Sequence, residues 1–157
     1  MTYICMELIQ QMRTIDENLP IIVFIDTWGW YALADINDSQ HQKVNQIMNF
    51  LSEFEIHLFT TDFILDETYT LVRSRIHHEA SLLIHKKIES LSDGKLLKIF
   101  HVTTEVQQTA WKIFERYSDK AFSFTDCTSF AIMRSMEITH VLTNDHHFRQ
   151  MGFSIMP

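Results

Sequence analysis

Ile21-Ile22-Val23-Phe24-Ile25-Asp26-Thr27 is the stretch on which the reading of this chain turns. Five consecutive apolar residues, most of them β-branched, predict a strand buried on both faces. Such a strand belongs in a parallel sheet with helices on either side. Asp26 follows it at once, at the point where the chain leaves the core.

Working outward, the pattern alternates between helical and extended periods. Helical spacing covers 28–36 and 40–54, with Val44, Ile47, Met48 and Leu51 on one face. A short strand is expected at 56–60, then helices at 61–75 and 77–91, closed by the Asp93-Gly94 turn signal. A strand at 96–102 is followed by helices at 103–117 and 123–136. Strands at 139–143 and 153–155 end the series. Strands alternating with helices imply βαβ units, so the expected fold is α/β, a three-layer α/β/α arrangement around a central, mostly parallel sheet. Residues 1–19 read as an N-terminal extension. Ile4, Leu8, Met12 and Ile15 would give it a short amphipathic helix, although Met6 and Met12 are alternative starts and part of the segment is then an artefact of start assignment. Residues 20–157 form the single expected domain.

The chain has 157 residues, 46% hydrophobic and 21% charged, enough for one domain with a substantial core. Thirteen Lys and Arg against 20 Asp and Glu give a net charge of −7, so no overall basic footprint for nucleic acid exists. An acidic protein still meets phosphate when divalent metal sits on its carboxylates. Only three glycines occur, which excludes a glycine-rich phosphate loop. Two cysteines, Cys5 and Cys127, offer neither a disulfide framework nor zinc spacing and read as reduced thiols of a cytoplasmic protein. No apolar run approaches the ~20 residues that span a bilayer, so no membrane role is expected.

In open parallel sheets, ligands bind at the carboxyl ends of strands beside a switch in strand order. Four acidic residues fall at or near such places. Asp26 ends the first strand, and Asp145 follows the strand Val141-Leu142-Thr143. Asp126 lies in the first turn of a helix, and Glu67 lies inside one. Each has a plainer explanation. Asp26 would be a surface turn residue, and Asp145 an N-cap. Asp126 would close a capping box with Ser123. Glu67 would be solvated, with Asp66 pointing about 100° away around the helix; Asp62 reads only as an N-cap. Together, however, carboxylates at one sheet edge repel one another and persist where a divalent cation neutralises them. Mg²⁺ or Mn²⁺ suits an all-oxygen set, and the implied chemistry is hydrolysis of a phosphate ester or phosphodiester.

The motifs Ile25-Asp26-Thr27, Leu65-Asp66-Glu67-Thr68, Ser123-Phe124-Thr125-Asp126-Cys127-Thr128-Ser129 and Leu142-Thr143-Asn144-Asp145-His146-His147-Phe148 occur in that order. In this the chain resembles the PIN-domain ribonucleases, especially the VapC-like toxins of toxin–antitoxin pairs. The resemblance spans about residues 20–157. It implies Asp26, Glu67 and Asp126 as metal ligands and catalytic acids, with Asp145 as a fourth, more peripheral one. It also implies supporting hydroxyls at Thr27 and Thr143, and support of the Asp126 turn by Ser123 and Thr125. The family's activity would be Mg²⁺- or Mn²⁺-dependent endoribonuclease action on RNA, by a homodimer silenced by a cognate antitoxin. The alternative is a non-catalytic PIN-like module that binds RNA or protein. Trp28 and Trp30 are bulkier than the small residues frequent after the first aspartate, so access to the site is expected to differ.

Nine histidines invite a zinc reading, but no pair has helix-site spacing with a companion glutamate, and surface or capping roles are expected. His147 stands near Asp145 in the chain and would brush the site. Arg73, Arg75, Lys120, Arg134 and Arg149 are the cations nearest the acidic motifs and read as solvated surface.

Overall fold

The computed structural model describes residues 21–156. The possible helix in 1–19 lies outside them. Strand β1 (Ile22–Ile25) is followed by α1 (Thr27–Ala34) and α2 (His41–Glu53), then β2 (His57–Thr61), α3 (Asp62–Arg75) and α4 (His78–Asp93). The second half runs β3 (Leu97–Phe100), α5 (Thr104–Arg116), α6 (Phe124–Ser135), β4 (His140–Leu142), α7 (His146–Gln150) and β5 (Ser154–Met156). Every strand and every longer helix falls within a few residues of its expected place. Helix α7 was not expected, because five residues carry too little periodicity to register.

The five strands form one sheet in the order β3-β2-β1-β4-β5, and every pairing is parallel. The chain starts in the middle strand, builds outward to β3, then returns to add β4 and β5 on the other side of β1. Right-handed crossovers therefore put α1–α4 on one face and α5–α7 on the other. The packing agrees: α1, α3 and α4 pack on one another, and α5 packs on α6. The switch in strand order falls between β1 and β4, and a crevice at their carboxyl ends is the geometric consequence.

The β1 run behaves as its composition demands, with Val23, Phe24 and Ile25 fully buried. Trp30 is buried as completely. Its indole Nε1 donates to Thr60 Oγ1 (3.2 Å), and the Thr60 hydroxyl donates to the Ile25 carbonyl (2.9 Å). A buried indole with a satisfied N–H is a core residue. Trp30 therefore belongs to the core, while Trp28 is half-buried against it.

Helix α1 lies close against the sheet because Gly29 has no side chain. A Cβ there would stand 3.0 Å from the Leu142 carbonyl oxygen and 3.1 Å from Ile25 Cγ2. Both belong to strands that the ladder holds in place. Gly29→Ala is therefore expected to lower stability by about 1–2 kcal/mol, overpacking outweighing the gain in helix propensity. A urea unfolding curve with a lower midpoint and an unchanged slope checks it. Among the described residues, no helix is long and apolar enough to cross a membrane.

Candidate functional site

The carboxyl edge of the sheet gathers the acidic residues. Asp26 follows β1 and occupies the N-cap position of α1, yet its side chain caps nothing. Instead Asp26 Oδ2 accepts a hydrogen bond from the Thr143 hydroxyl, 2.7 Å away in the segment after β4. Thr143 Oγ1 in turn accepts from the Asp145 backbone N–H at 3.0 Å. Two neighbouring strand ends are thus tied across the crevice through one hydroxyl. Thr27, the next residue, donates its hydroxyl to Glu67 Oε2 at 2.6 Å. That bond brings α3 into the same site. It also distinguishes Glu67 from Asp66, although both line an open hollow of about 620 Å³ with Asp62 and Thr125.

Helix α6 feeds the start of β4, so its N-terminus stands at the opposite, carboxyl edge. Ser123 is the N-cap: its Oγ accepts from the Asp126 N–H (3.0 Å), while Asp126 Oδ2 accepts from the Ser123 N–H (2.7 Å). The capping box is therefore present, and the same box fixes Asp126 beside the crevice. Thr125 supports this turn through its carbonyl, which accepts from the Thr128 and Ser129 hydroxyls. Asp145 caps α7 by accepting from the His147 N–H at 2.9 Å. Its structural role coexists with its place at the edge.

Asp62 is not the N-cap of α3. Thr61 is, accepting from the Ile64 N–H. Asp62 is the first helical residue and accepts from the Phe63 and Val102 N–H groups, which ties α3 to the segment after β3.

Burial dominates the electrostatics. Asp26 is only 6% exposed. Desolvation pushes its pKa up to about 7; the Thr143 and Thr27 hydrogen bonds oppose this, and the charges of Asp126 and Glu67 add to it. Asp126 is raised as well, first by burial and then by Asp145, against the Ser123 hydrogen bonds and His147. Asp26 thus feels Asp126 and Glu67, and Asp126 feels Asp145, so the four carboxylates are electrostatically linked. Among the described residues, no Lys or Arg comes within 4.0 Å of any of them, and the only basic neighbours are His146 and His147. The arginines and lysine named above are engaged elsewhere or stand apart; Arg134, for example, donates to the Met151 carbonyl.

A buried carboxylate such as Asp26, lying in the field of two others and without a Lys or Arg beside it among the described residues, is costly unless protons or a metal ion offset it. The donors are carboxylate and hydroxyl oxygens, the set that hard divalent cations prefer. Among the described residues, the group of three whose ligand atoms all lie within 4.8 Å of one another is Asp145, His146 and His147. Asp26, Glu67 and Asp126 are spaced more widely. A set spaced in this way would hold an ion with water completing its coordination, the habit of Mg²⁺.

Other candidates resolve as ordinary structure. Cys127 is a free, buried thiol; burial and the adjacent Asp126 push its pKa up to about 11, the reverse of a nucleophile. His77 caps α4 by accepting from the Ala80 N–H. His140 is buried inside β4, contrary to a surface or capping role, and burial lowers its pKa. His147, expected to brush the site, reaches Asp145 and also Asp126 with its ring; its place two residues after a helix-capping aspartate is the signal the sequence offers.

A family model described as the PIN domain matches residues 23–154. The 23S rRNA-specific endonuclease VapC20 of Mycobacterium tuberculosis is 29% identical over 132 residues, covering 84% of this chain and 95% of that protein. A VapC ribonuclease of Archaeoglobus fulgidus is 28% identical over 118 residues, covering 73% of this chain and 71% of that one. The crystal structure of M. tuberculosis VapC20, a toxin that cleaves the sarcin–ricin loop, matches with a TM-score of 0.73 at 28% identity, over 84% of this chain and 96% of that one. FitAcB from Neisseria gonorrhoeae shares the fold, with a TM-score of 0.57 at 15% identity over 85% of this chain and 95% of that one. The family match runs from the first strand to the last, across the sheet and all four acidic positions, and the chain belongs to the PIN domain family.

Proposed function

We propose that this chain is a divalent-metal-dependent endoribonuclease that hydrolyses RNA phosphodiesters, and that it is the toxin of a toxin–antitoxin pair. The observation that carries the reading is Asp26, a buried carboxylate lying in the field of Asp126 and Glu67 with no Lys or Arg beside it among the described residues. The VapC relatives, named as ribonucleases, favour RNA as the substrate. In this reading Asp26, Glu67 and Asp126 would hold Mg²⁺ or Mn²⁺, with Asp145 at the periphery. The nuclease domain is residues 20–157, the protein acts as a cytoplasmic homodimer, and a cognate antitoxin silences it.

Bound there, such an ion supplies Lewis-acid stabilisation of the charge that builds on phosphodiester oxygens and lowers the pKa of water. The chain's own groups arrange the anionic ligands. Thr143 takes up one oxygen of Asp26 and fixes the orientation of the carboxylate that would hold the ion. Thr27 orients Glu67 in the same way, and Ser123 fixes the angle of Asp126 through the capping box. Held so, the carboxylates are pre-arranged on strands and helices that the core immobilises, which is how a site avoids reorganisation during reaction. The open hollow along Glu67 and Thr125 gives RNA a path to that edge.

The test is incubation of the protein with a panel of rRNA, tRNA and mRNA in Mn²⁺, with and without EDTA. Cleavage to 5′-phosphate and 3′-hydroxyl ends that stops with EDTA is the expected result. Intact RNA across the panel would overturn the reading and favour a binding module.

A further inference from the structure

His147 makes contacts that the proposed metal-ligand set does not use. It lies in α7 with its side chain 16% exposed. Its Nδ1 stands 3.2 Å from Asp145 Oδ2 and 3.9 Å from Asp126 Oδ2. The same residue's backbone N–H donates to Asp145 Oδ1 at 2.9 Å. One residue therefore engages both oxygens of Asp145 and also faces Asp126 across the crevice. The ring is held as well. It packs edge-on against Phe122 with centroids 5.0 Å apart, and Phe122 rests in turn on Phe130. His146 covers another side at 4.4 Å.

A carboxylate only accepts hydrogen bonds, so the tautomer that satisfies this contact carries its proton on Nδ1. With that proton committed, the imidazole locks the orientation of Asp145. It also sets how closely Asp145 and Asp126 approach each other. Groups that orient ligands from behind commonly matter for metal affinity by about 10–100-fold.

We propose that His147 is a positioning residue: its Nδ1–H, aimed by the aromatic wall of Phe122, sets Asp145 and Asp126 in the geometry that binds a divalent cation. This inference rests on the proposed metal-dependent site. It assigns to α7 a part in that site beyond capping, and it explains why a five-residue helix with a buried aromatic base follows β4.

Three substitutions separate its components. His147→Phe keeps a ring against Phe122 and removes the donor. His147→Asn removes the ring and keeps a donor nearly where Nδ1 stood. His147→Gln moves the amide one bond farther out. Mn²⁺ binding by the full chain without RNA is read from the loss of free-ion signal in electron paramagnetic resonance, alongside the metal-free melting temperature. His147→Phe and His147→Gln are expected to weaken Mn²⁺ by about 10–100-fold, with the metal-free melting temperature of the Phe variant near that of the wild type. His147→Asn is expected to restore affinity to within a few-fold. Wild-type affinity in His147→Phe, or equal losses in Phe and Asn, would overturn the positioning role while leaving the metal site standing. Should the Phe variant fail to fold, the Gln and Asn pair decides the matter alone, and equal affinities in those two would overturn it. A wild-type protein that takes up no Mn²⁺ would overturn both this inference and the reading beneath it.

Discussion

Asp26→Asn is expected to make the metal-free protein more stable at pH 8 while abolishing RNA cleavage. The sign follows from the carboxyl's pKa, raised from 3.8 to about 7. Between those values the folded state holds a proton that the unfolded chain has released. Stability is therefore full below about pH 4 and is lost as pH rises towards 7. At about 1.4 kcal/mol per pH unit, the accumulated loss is on the order of 4 kcal/mol. Asparagine carries no charge and keeps an oxygen for the Thr143 hydroxyl, so it avoids that cost. For a chain of this size each kcal/mol moves the melting temperature by about 2–4 °C. The variant's advantage should be near zero at pH 4 and largest above pH 7. Adding Mn²⁺ should reverse the order, because only the wild type gains ligand stabilisation. Melting curves from pH 4 to 8 in EDTA and in Mn²⁺ read both effects. A variant less stable than the wild type at pH 8 in EDTA would show that something other than a metal offsets the Asp26 charge.

The second large effect is on catalysis. Asp126→Asn should reduce kcat/KM on RNA by at least about 100-fold, since the loss of one anionic ligand removes several kcal/mol of charge stabilisation at about 1.4 kcal/mol per tenfold. The asparagine oxygen still accepts from the Ser123 N–H, so the capping box survives, and only a helix-dipole contribution of about 0.3–1 kcal/mol is at risk. This substitution separates the two readings of Asp126. A residue that served the helix alone would leave cleavage intact when replaced by asparagine. Single-turnover cleavage in Mn²⁺, set beside a melting curve, decides between them.

Much of this was legible before any coordinates. The run from Ile21 to Ile25 could be little else than a buried strand, and the aspartate after it stands where parallel sheets bind ligands. The alternation of patterns gave the layers, and the strand order then placed the crevice between β1 and β4. What stayed hidden were contacts between residues distant in the chain. Nothing local says that Thr143 donates to Asp26, 117 positions away, or that Thr27 chooses Glu67 over Asp66. Thr61 and Asp62 are both good caps, and the hydrogen bond from the Ile64 N–H to the Thr61 hydroxyl settles which one serves. Trp30 looked like an obstruction because its size is visible in the sequence and its burial is not. Helix α7 is too short for its period to appear, and the reach of His147 to Asp126 stayed hidden with it.

The convergence of these carboxylates on one ion is tested most directly by anomalous diffraction from crystals soaked in Mn²⁺. The expected map has a peak at the carboxyl ends of β1 and β4, within ligand distance of oxygens of Asp26, Glu67 or Asp126. A peak confined to His146 and His147, or a crevice without any peak at saturating Mn²⁺, would contradict it.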